Sequence, residues 1–230
     1  MIQLVIIAGG KGTRLGLKDI PKPMVTIEGK PLLQYQIELA KRYGIEEIFI
    51  LSGHLSEVII NYFGNGEKFG VKITHVVEDS PMGTGGAVKQ LENIITDRFM
   101  VFYGDTIVDI NIDEFIKFDR KEDSIASLLV HPNDHPHDSD LLDADDDGRI
   151  TAFFPKPHAG NRFYKNLVNA ALYILSPEIF DFIPGDRPSD FGKDVFPALL
   201  KQGKKLRAYR TAEYVKDMGT PERFEKTTGD

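Results

Sequence analysis

Ile2-Gln3-Leu4-Val5-Ile6-Ile7-Ala8-Gly9-Gly10 is a run of aliphatic, largely β-branched residues that stops at two glycines. It is too short for a fully buried helix and has no polar face, so it reads as a strand covered on both sides. Further on, Pro31 begins a segment with Leu32, Leu33, Ile37, Leu39 and Ala40 on one face and charges on the other. That spacing predicts a helix to about Tyr43, closed by Gly44. Strand and helix patterns keep alternating: a strand from Glu47 to Leu51, a helix from Leu55 to Phe63, a strand from Val71 to Val77, a helix from about Thr84 to Ile95, and a strand from Phe99 to Tyr103. This βαβ series predicts an α/β fold with a Rossmann-like, mostly parallel central sheet and helices on both faces. Ligands of such sheets bind beyond the carboxyl ends of the strands, so residues just after strands carry the functional weight.

From about Ser124 the rhythm changes. Ile125 to Val130, Ile150 to Phe154 and Leu167 to Leu175 read as strands separated by polar loops, with helices after Ser176-Pro177-Glu178, near Lys193 to Gln202, and after Thr220-Pro221-Glu222. The expectation is a small mixed antiparallel subdomain. With no internal repeat and no long linker, residues 1–230 read as a single domain.

Composition narrows the function classes. No segment has the roughly 18 to 20 uninterrupted apolar residues of a membrane span, and the apolar amino terminus lacks the basic n-region and small-residue cleavage site of a signal peptide. A cytoplasmic protein with no membrane partner is expected. A formal net charge of -7 argues against a nucleic-acid surface, which needs clustered Lys and Arg. The absence of cysteine removes thiol nucleophiles and Cys-ligated zinc, leaving oxygen-ligated Mg²⁺ as the natural metal.

The loop after the first strand is Ala8-Gly9-Gly10-Lys11-Gly12-Thr13-Arg14-Leu15. Its glycines allow backbone N–H groups to converge on phosphate oxygens, although the same residues would also suit an ordinary turn. The spacing fits neither the dinucleotide fingerprint nor the P-loop. Pro21-Lys22-Pro23 adds a lysine whose backbone is fixed on both sides, and two cations, Arg14 and Lys22, beside an amide-lined loop suit a triphosphate. Pro81-Met82-Gly83-Thr84-Gly85-Gly86-Ala87 enters a helix whose first turn is nearly bare, so its N–H groups can approach a base or ribose, or serve only close packing. Two separated acids, Asp105 after Gly104 and Asp217 before Met218-Gly219-Thr220-Pro221, are each compatible with a capping role or with the one or two carboxylates that Mg²⁺ takes when it also binds phosphates. Lys156, between Pro155 and Pro157, is a second fixed cation, and Asn169 offers both donor and acceptor to hydroxyl groups.

Together G-G-x-G-T-R-L and P-K-P at the amino terminus resemble the signature of the sugar-1-phosphate nucleotidyltransferases, and further matches extend nearly to Arg223. The resemblance implies the nucleotide-diphospho-sugar transferase fold, with a nucleotide-binding half over about 1–120 and a sugar-phosphate-binding half over about 121–230. It implies catalytic roles for Arg14 and Lys22, and nucleotide binding by Ala8, Gly9, Gly10, Gly12, Thr13, Gly83 and Thr84. Lys156, Asn169 and Gly104 would bind the sugar phosphate, and Asp105 and Asp217 would hold Mg²⁺. The implied partners are a nucleoside triphosphate and a sugar 1-phosphate, in the making of lipopolysaccharide or polysaccharide precursors. A homo-oligomer and a longer multifunctional chain are both compatible with it. Pro155 and Ala171 depart from the common E-K-P and N-A-G patterns: the resemblance implies that Pro155 lacks the sugar contact of the glutamate and that Ala171 narrows the pocket by a methyl group.

Asp143, Asp145, Asp147 and Gly148 imitate half of a calcium loop, but Phe154 stands where the bidentate Glu belongs, so a polar turn is expected. The loop with His131, His135, His137, Asp138 and Asp140 suits a transition metal or a solvated lid over the sugar site, and the lid is the preferred reading. It resembles loops of enzymes acting on heptose or mannose 1-phosphates, where Pro136 and Ser139-Asp140 recur, and this implies a guanylyltransferase using GTP. The alternatives are a glucose-1-phosphate thymidylyl-, uridylyl- or cytidylyltransferase, and a non-catalytic nucleotide-sugar sensor. A dehydrogenase would need the missing glycine spacing.

Overall fold

The computed structural model describes residues 2–10, 19–158 and 163–217. In chain order its elements are β1 (Gln3–Ile7), β2 (Thr26–Ile27), β3 (Lys30–Pro31), α1 (Leu32–Arg42), β4 (Glu47–Ser52), α2 (Ser56–Phe63), β5 (Lys72–Val77), α3 (Gly83–Lys89), β6 (Phe99–Tyr103), β7 (Thr106–Asp109), α4 (Ile112–Arg120), β8 (Ala126–His131), β9 (Leu141–Ala144), β10 (Ile150–Phe154), β11 (Val168–Leu175), α5 (Phe196–Lys201), β12 (Leu206–Arg210) and β13 (Tyr214–Asp217). The chain forms two compact units, one of Met1–Pro81, Met100–Ile112 and Glu213–Asp230, the other of Met82–Phe99 and Asp113–Ala212.

In the first unit strands lie in the order β6-β1-β4-β5, with β1 parallel to β4 and β4 parallel to β5. Leu4, Val5 and Ile6 are all fully buried. Successive strand residues point to opposite faces, so β1 is covered on both, as its unbroken aliphatic run predicts. After β5 the chain returns to set β6 on the other side of β1, so the strand order reverses between β1 and β6. In open α/β sheets ligands bind beyond the carboxyl ends of the strands at such a reversal. At the opposite end Glu47 accepts from Gln3 and Lys72, tying the starts of β1, β4 and β5, and these two donors hold its carboxyl below the usual carboxylate range.

Helix α1 buries Leu32, Leu33, Gln36, Ile37, Leu39 and Ala40, the stripe expected from the sequence with one polar member. It stops where Gly44 takes φ +72°, a conformation that costs a glycine little. The helix expected from about Thr84 to Ile95 is shorter. Regular helix ends at Lys89, and the chain goes on in turns such as Leu91 N–H to Val88 O and Ile94 N–H to Leu91 O. Gly85 and Gly86 give this segment little intrinsic helix propensity.

The second unit is mixed, as expected. Strand β9 pairs antiparallel with β10 and β11, β11 antiparallel with β8, and β12 parallel with β8. Ser176 caps the turn Pro177–Phe182 by accepting the Glu178 N–H. The expected helix near Lys193 splits into a wide π turn, Phe191–Val195, and α5, with Pro197 at the junction. Proline lacks the donor that would carry one helix through. Asp145 accepts the Arg149 N–H and makes the polar turn between β9 and β10 that was expected of this acidic stretch. Helix α4 was not foreseen. It has Asp113 and Glu114 in its first turn, Lys117 and Arg120 in its last, and the buried Ile112, Phe115 and Asp119 on one face.

Candidate active site

In the first unit the carboxyl ends of four strands converge. Ala8 and Gly9 leave β1, Gly53 leaves β4, Glu78 leaves β5, and Gly104 with Asp105 leaves β6. The contacts explain the glycines. A Cβ on Gly9 would stand 2.7 Å from Glu78 Oε2, and one on Gly104 would stand 3.1 Å from Ile7 O and 3.2 Å from Pro23 Cγ. Gly10, in contrast, borders open space. The Gly104 N–H donates to Ile7 O at 2.9 Å, locking the end of β6 to the end of β1.

Lys22 lies in the turn Lys22–Met24, held by Pro21 and Pro23, and its side chain is only 11% exposed. Its Nζ donates to Asp105 Oδ2 at 2.6 Å, a charge-assisted bond between residues far apart in sequence. Two of the residues chosen from the sequence for separate roles thus meet. The Gly104-Asp105 turn has a second support, the fully buried Gln36 of α1, whose Nε2 donates to Tyr103 O at 2.8 Å and to Thr106 O at 2.6 Å. The carbonyls flanking Gly104-Asp105 are clamped by one amide. Asp217 is at the end of β13, where its backbone pairs with Thr106 on β7. The backbone of Asp217 thus pairs with the residue that follows Asp105. Gly12, Thr13 and Arg14 lie outside the described residues, as do the side chain of Asp217 and the segment at Thr220-Pro221.

In the second unit Gly83 has φ +72°, and a Cβ there would stand 2.4 Å from Ser189 O. The Gly85 and Gly86 N–H groups, expected to be free, donate to that same carbonyl, and Ser189 N–H returns a bond to Met82 O. Thr84 Oγ1 donates to Asp190 Oδ2 at 3.0 Å and accepts the Phe191 N–H. These glycines admit the Ser189-Asp190 backbone against the start of α3, a close approach that side chains would block.

Lys156 follows β10, and its Nζ donates to Asp138 O at 2.8 Å. Asn169 is on β11 at a bulge where Ala171 takes φ +60°; its Oδ1 accepts the Ala171 N–H and its Nδ2 donates to Tyr173 Oη. Asp140 joins the two. Its Oδ1 accepts the Lys156 N–H at 3.1 Å and its backbone carbonyl accepts the Asn169 N–H at 2.9 Å. Burial pushes the Asp140 carboxyl above its usual range; the Lys156 N–H and ammonium and Lys193 pull it back, and Asp190 adds to the rise. The loop before it is internally bonded, with Asn133 Nδ2 donating to Ser139 Oγ and His158 Nε2 at 2.7 Å from Ser139 O.

Gln36, Glu78 and Asp190 were not chosen from the sequence, and Asp140 was named only as part of the His- and Asp-rich loop. Gln36 was legible in one respect: it is a polar residue on the apolar stripe of α1, which requires buried partners. The other three owe their importance to chain segments distant in sequence.

A family model described as nucleotidyl transferase matches residues 3–229. The chain is 31% identical, over 88% of its length, to the UTP–glucose-1-phosphate uridylyltransferase of Synechocystis sp., of which it spans 56%. It is 33% identical to the D-glycero-alpha-D-manno-heptose 1-phosphate guanylyltransferase of Campylobacter jejuni, with 97% of each chain covered. Its fold matches the crystal structure of HddC from Yersinia pseudotuberculosis complexed with GMP-PN, at a TM-score of 0.83 and 31% identity, covering 100% of this chain and 99% of that one. The glycine-lined end of β1, the Lys22–Asp105 pair at the strand reversal and a match over almost the whole length agree: the chain belongs to the nucleotidyl transferase family.

Proposed function

We propose that the protein is a sugar-1-phosphate nucleotidyltransferase that joins GTP to a manno-configured sugar 1-phosphate, a mannose or manno-heptose 1-phosphate, and releases pyrophosphate. The observation that carries the reaction class is the meeting of Lys22 Nζ and Asp105 Oδ2, a cation and a carboxylate, at the carboxyl end of β6 beside the Gly9-Gly10 end of β1. The base and sugar rest on likeness to the Campylobacter heptose guanylyltransferase and to the Yersinia protein complexed with GMP-PN.

In this reading the Gly9-Gly10 loop and Gly12, Thr13 and Arg14 bind the triphosphate, with Gly83 and Thr84 on the nucleoside. An oxygen of the sugar phosphate forms a bond to the α-phosphorus as the bond from that phosphorus to the pyrophosphate oxygen breaks. The electron pair leaves with pyrophosphate. A phosphate nucleophile is already anionic, so no strong general base is needed, and the work is positioning and charge neutralisation. Lys22 and Arg14 neutralise the donor phosphates, and Lys156 the acceptor phosphate. Asp105 and Asp217 would hold Mg²⁺, which when bound supplies further positive charge to the triphosphate.

Pyrophosphate release measured across GTP, CTP, UTP, TTP and ATP, crossed with mannose, manno-heptose and glucose 1-phosphates, tests the assignment. The expected result is turnover with GTP and a manno-configured sugar. A clear preference for UTP or TTP with glucose 1-phosphate would overturn the substrate assignment in favour of the reading that the Synechocystis relative supports. Lys22→Ala and Asp105→Ala should each reduce turnover by about 100-fold or more while the protein stays folded. Near-normal turnover in either variant would sink the reaction assignment.

A further inference from the structure

Asp140 stands between the turn Pro136–Asp138 and β9, and two of its three oxygens are already committed. The backbone carbonyl takes the Asn169 N–H and Oδ1 takes the Lys156 N–H, so one residue fixes the backbones of both candidate acceptor-site residues. The third oxygen, Oδ2, has no donor among the described residues. It faces Gly192, where a Cβ would come to 2.3 Å, so only a glycine leaves this oxygen in place. Gly192 is held there by Asp190 Oδ1, which accepts its N–H at 3.0 Å. Asp140 is a half-buried residue, and its outer oxygen is an acceptor that a ligand donor can take.

The chemistry of that ligand follows from the donor count. A carboxylate accepts hydrogen bonds and repels phosphate, so its partner is a neutral hydroxyl-bearing group. Lys156, whose backbone N–H bonds to Oδ1, supplies the cation for a phosphate on the same molecule. Resting on the proposed reaction, we infer that Asp140 is a specificity-determining residue of the acceptor site. Its Oδ2 accepts hydrogen bonds from sugar hydroxyls, while its Oδ1 and carbonyl hold Lys156 and Asn169 in register.

The test is Asp140→Asn, which keeps the size of the side chain and the acceptor for the Lys156 N–H but turns the outer oxygen into a donor. Steady-state kinetics are run with the sugar 1-phosphate that the wild type prefers and with its single-deoxy analogues. The expected result is a fall in kcat/KM for the sugar phosphate of roughly 10- to 100-fold, with KM for the nucleotide unchanged. At least one deoxy analogue that is poor for the wild type should lose nothing further in the variant, because the two changes remove the same contact. Equal losses on every analogue, or unaltered discrimination, would overturn the inference. If Asp140→Asn does not fold, as judged by its melting transition, Gly192→Ala displaces Oδ2 from the other side and is judged by the same two criteria. A wild type that releases no pyrophosphate with any sugar 1-phosphate would instead refute the reaction itself, so the two failures are distinct.

Discussion

Gln36 shows how much one buried amide can hold. Its two donated bonds fix the carbonyls on either side of Gly104-Asp105, and the turn carries the carboxylate that meets Lys22. Gln36→Leu keeps much of the volume but strands both carbonyls, and a buried acceptor left unpaired costs about 1–3 kcal/mol. The expected outcome is a destabilisation in that range, measured by urea unfolding, together with weaker turnover because Asp105 loses its support. A variant as stable as the wild type would show that water replaces the amide. Sequence reading reached Asp105 and Lys22 singly. That they pair could not be read from chain positions 22 and 105, because the pairing depends on β6 lying beside β1.

Among the elements, α4 was missed in the sequence and is anchored by a bond the sequence hides. Asp119 is only 3% exposed, and Arg98 reaches it with both Nε at 2.7 Å and Nη2 at 2.5 Å while Nη1 donates to Ser124 O. A buried carboxylate is tolerated when it is paired in this bidentate way, and removing one partner costs far more than an exposed ion pair is worth. Arg98→Ala should therefore destabilise the protein by about 3 kcal/mol or more. The double variant Arg98→Ala with Asp119→Ala should recover part of that loss, as thermal melting would show. Strands β1, β4 and β6 were read nearly to the residue because a short run that is almost wholly apolar has few alternatives, and β5 because its β-branched residues are spaced by polar ones. The helix at Gly83 was read too long. Its glycines signal a close approach by another segment, and the sequence does not name Ser189 as that segment.

Across the whole molecule, the chain enters the first unit three times and the second twice. Strand β13, near the end, pairs with β7 and completes the first unit. A fragment of residues 1–120 therefore lacks a strand of its own unit and most of the second. The expected outcome is that it shows no cooperative thermal transition by circular dichroism, whereas the whole chain does. A sharp transition in the fragment would show that its sheet folds without β13.

The sequence by itself determined the α/β character, the glycine-lined end of β1, and the set of cations and carboxylates that point to phosphate chemistry. These are local matters: an apolar run, a proline-fixed lysine and a glycine each restrict the chain where they stand. Only the tertiary structure decided that Lys22 bonds to Asp105, that the Asp217 backbone pairs with Thr106, and that Asp140 holds Lys156 and Asn169 together. Each of these depends on which distant strands come to lie side by side. That is settled by the packing of the whole core rather than by any segment alone.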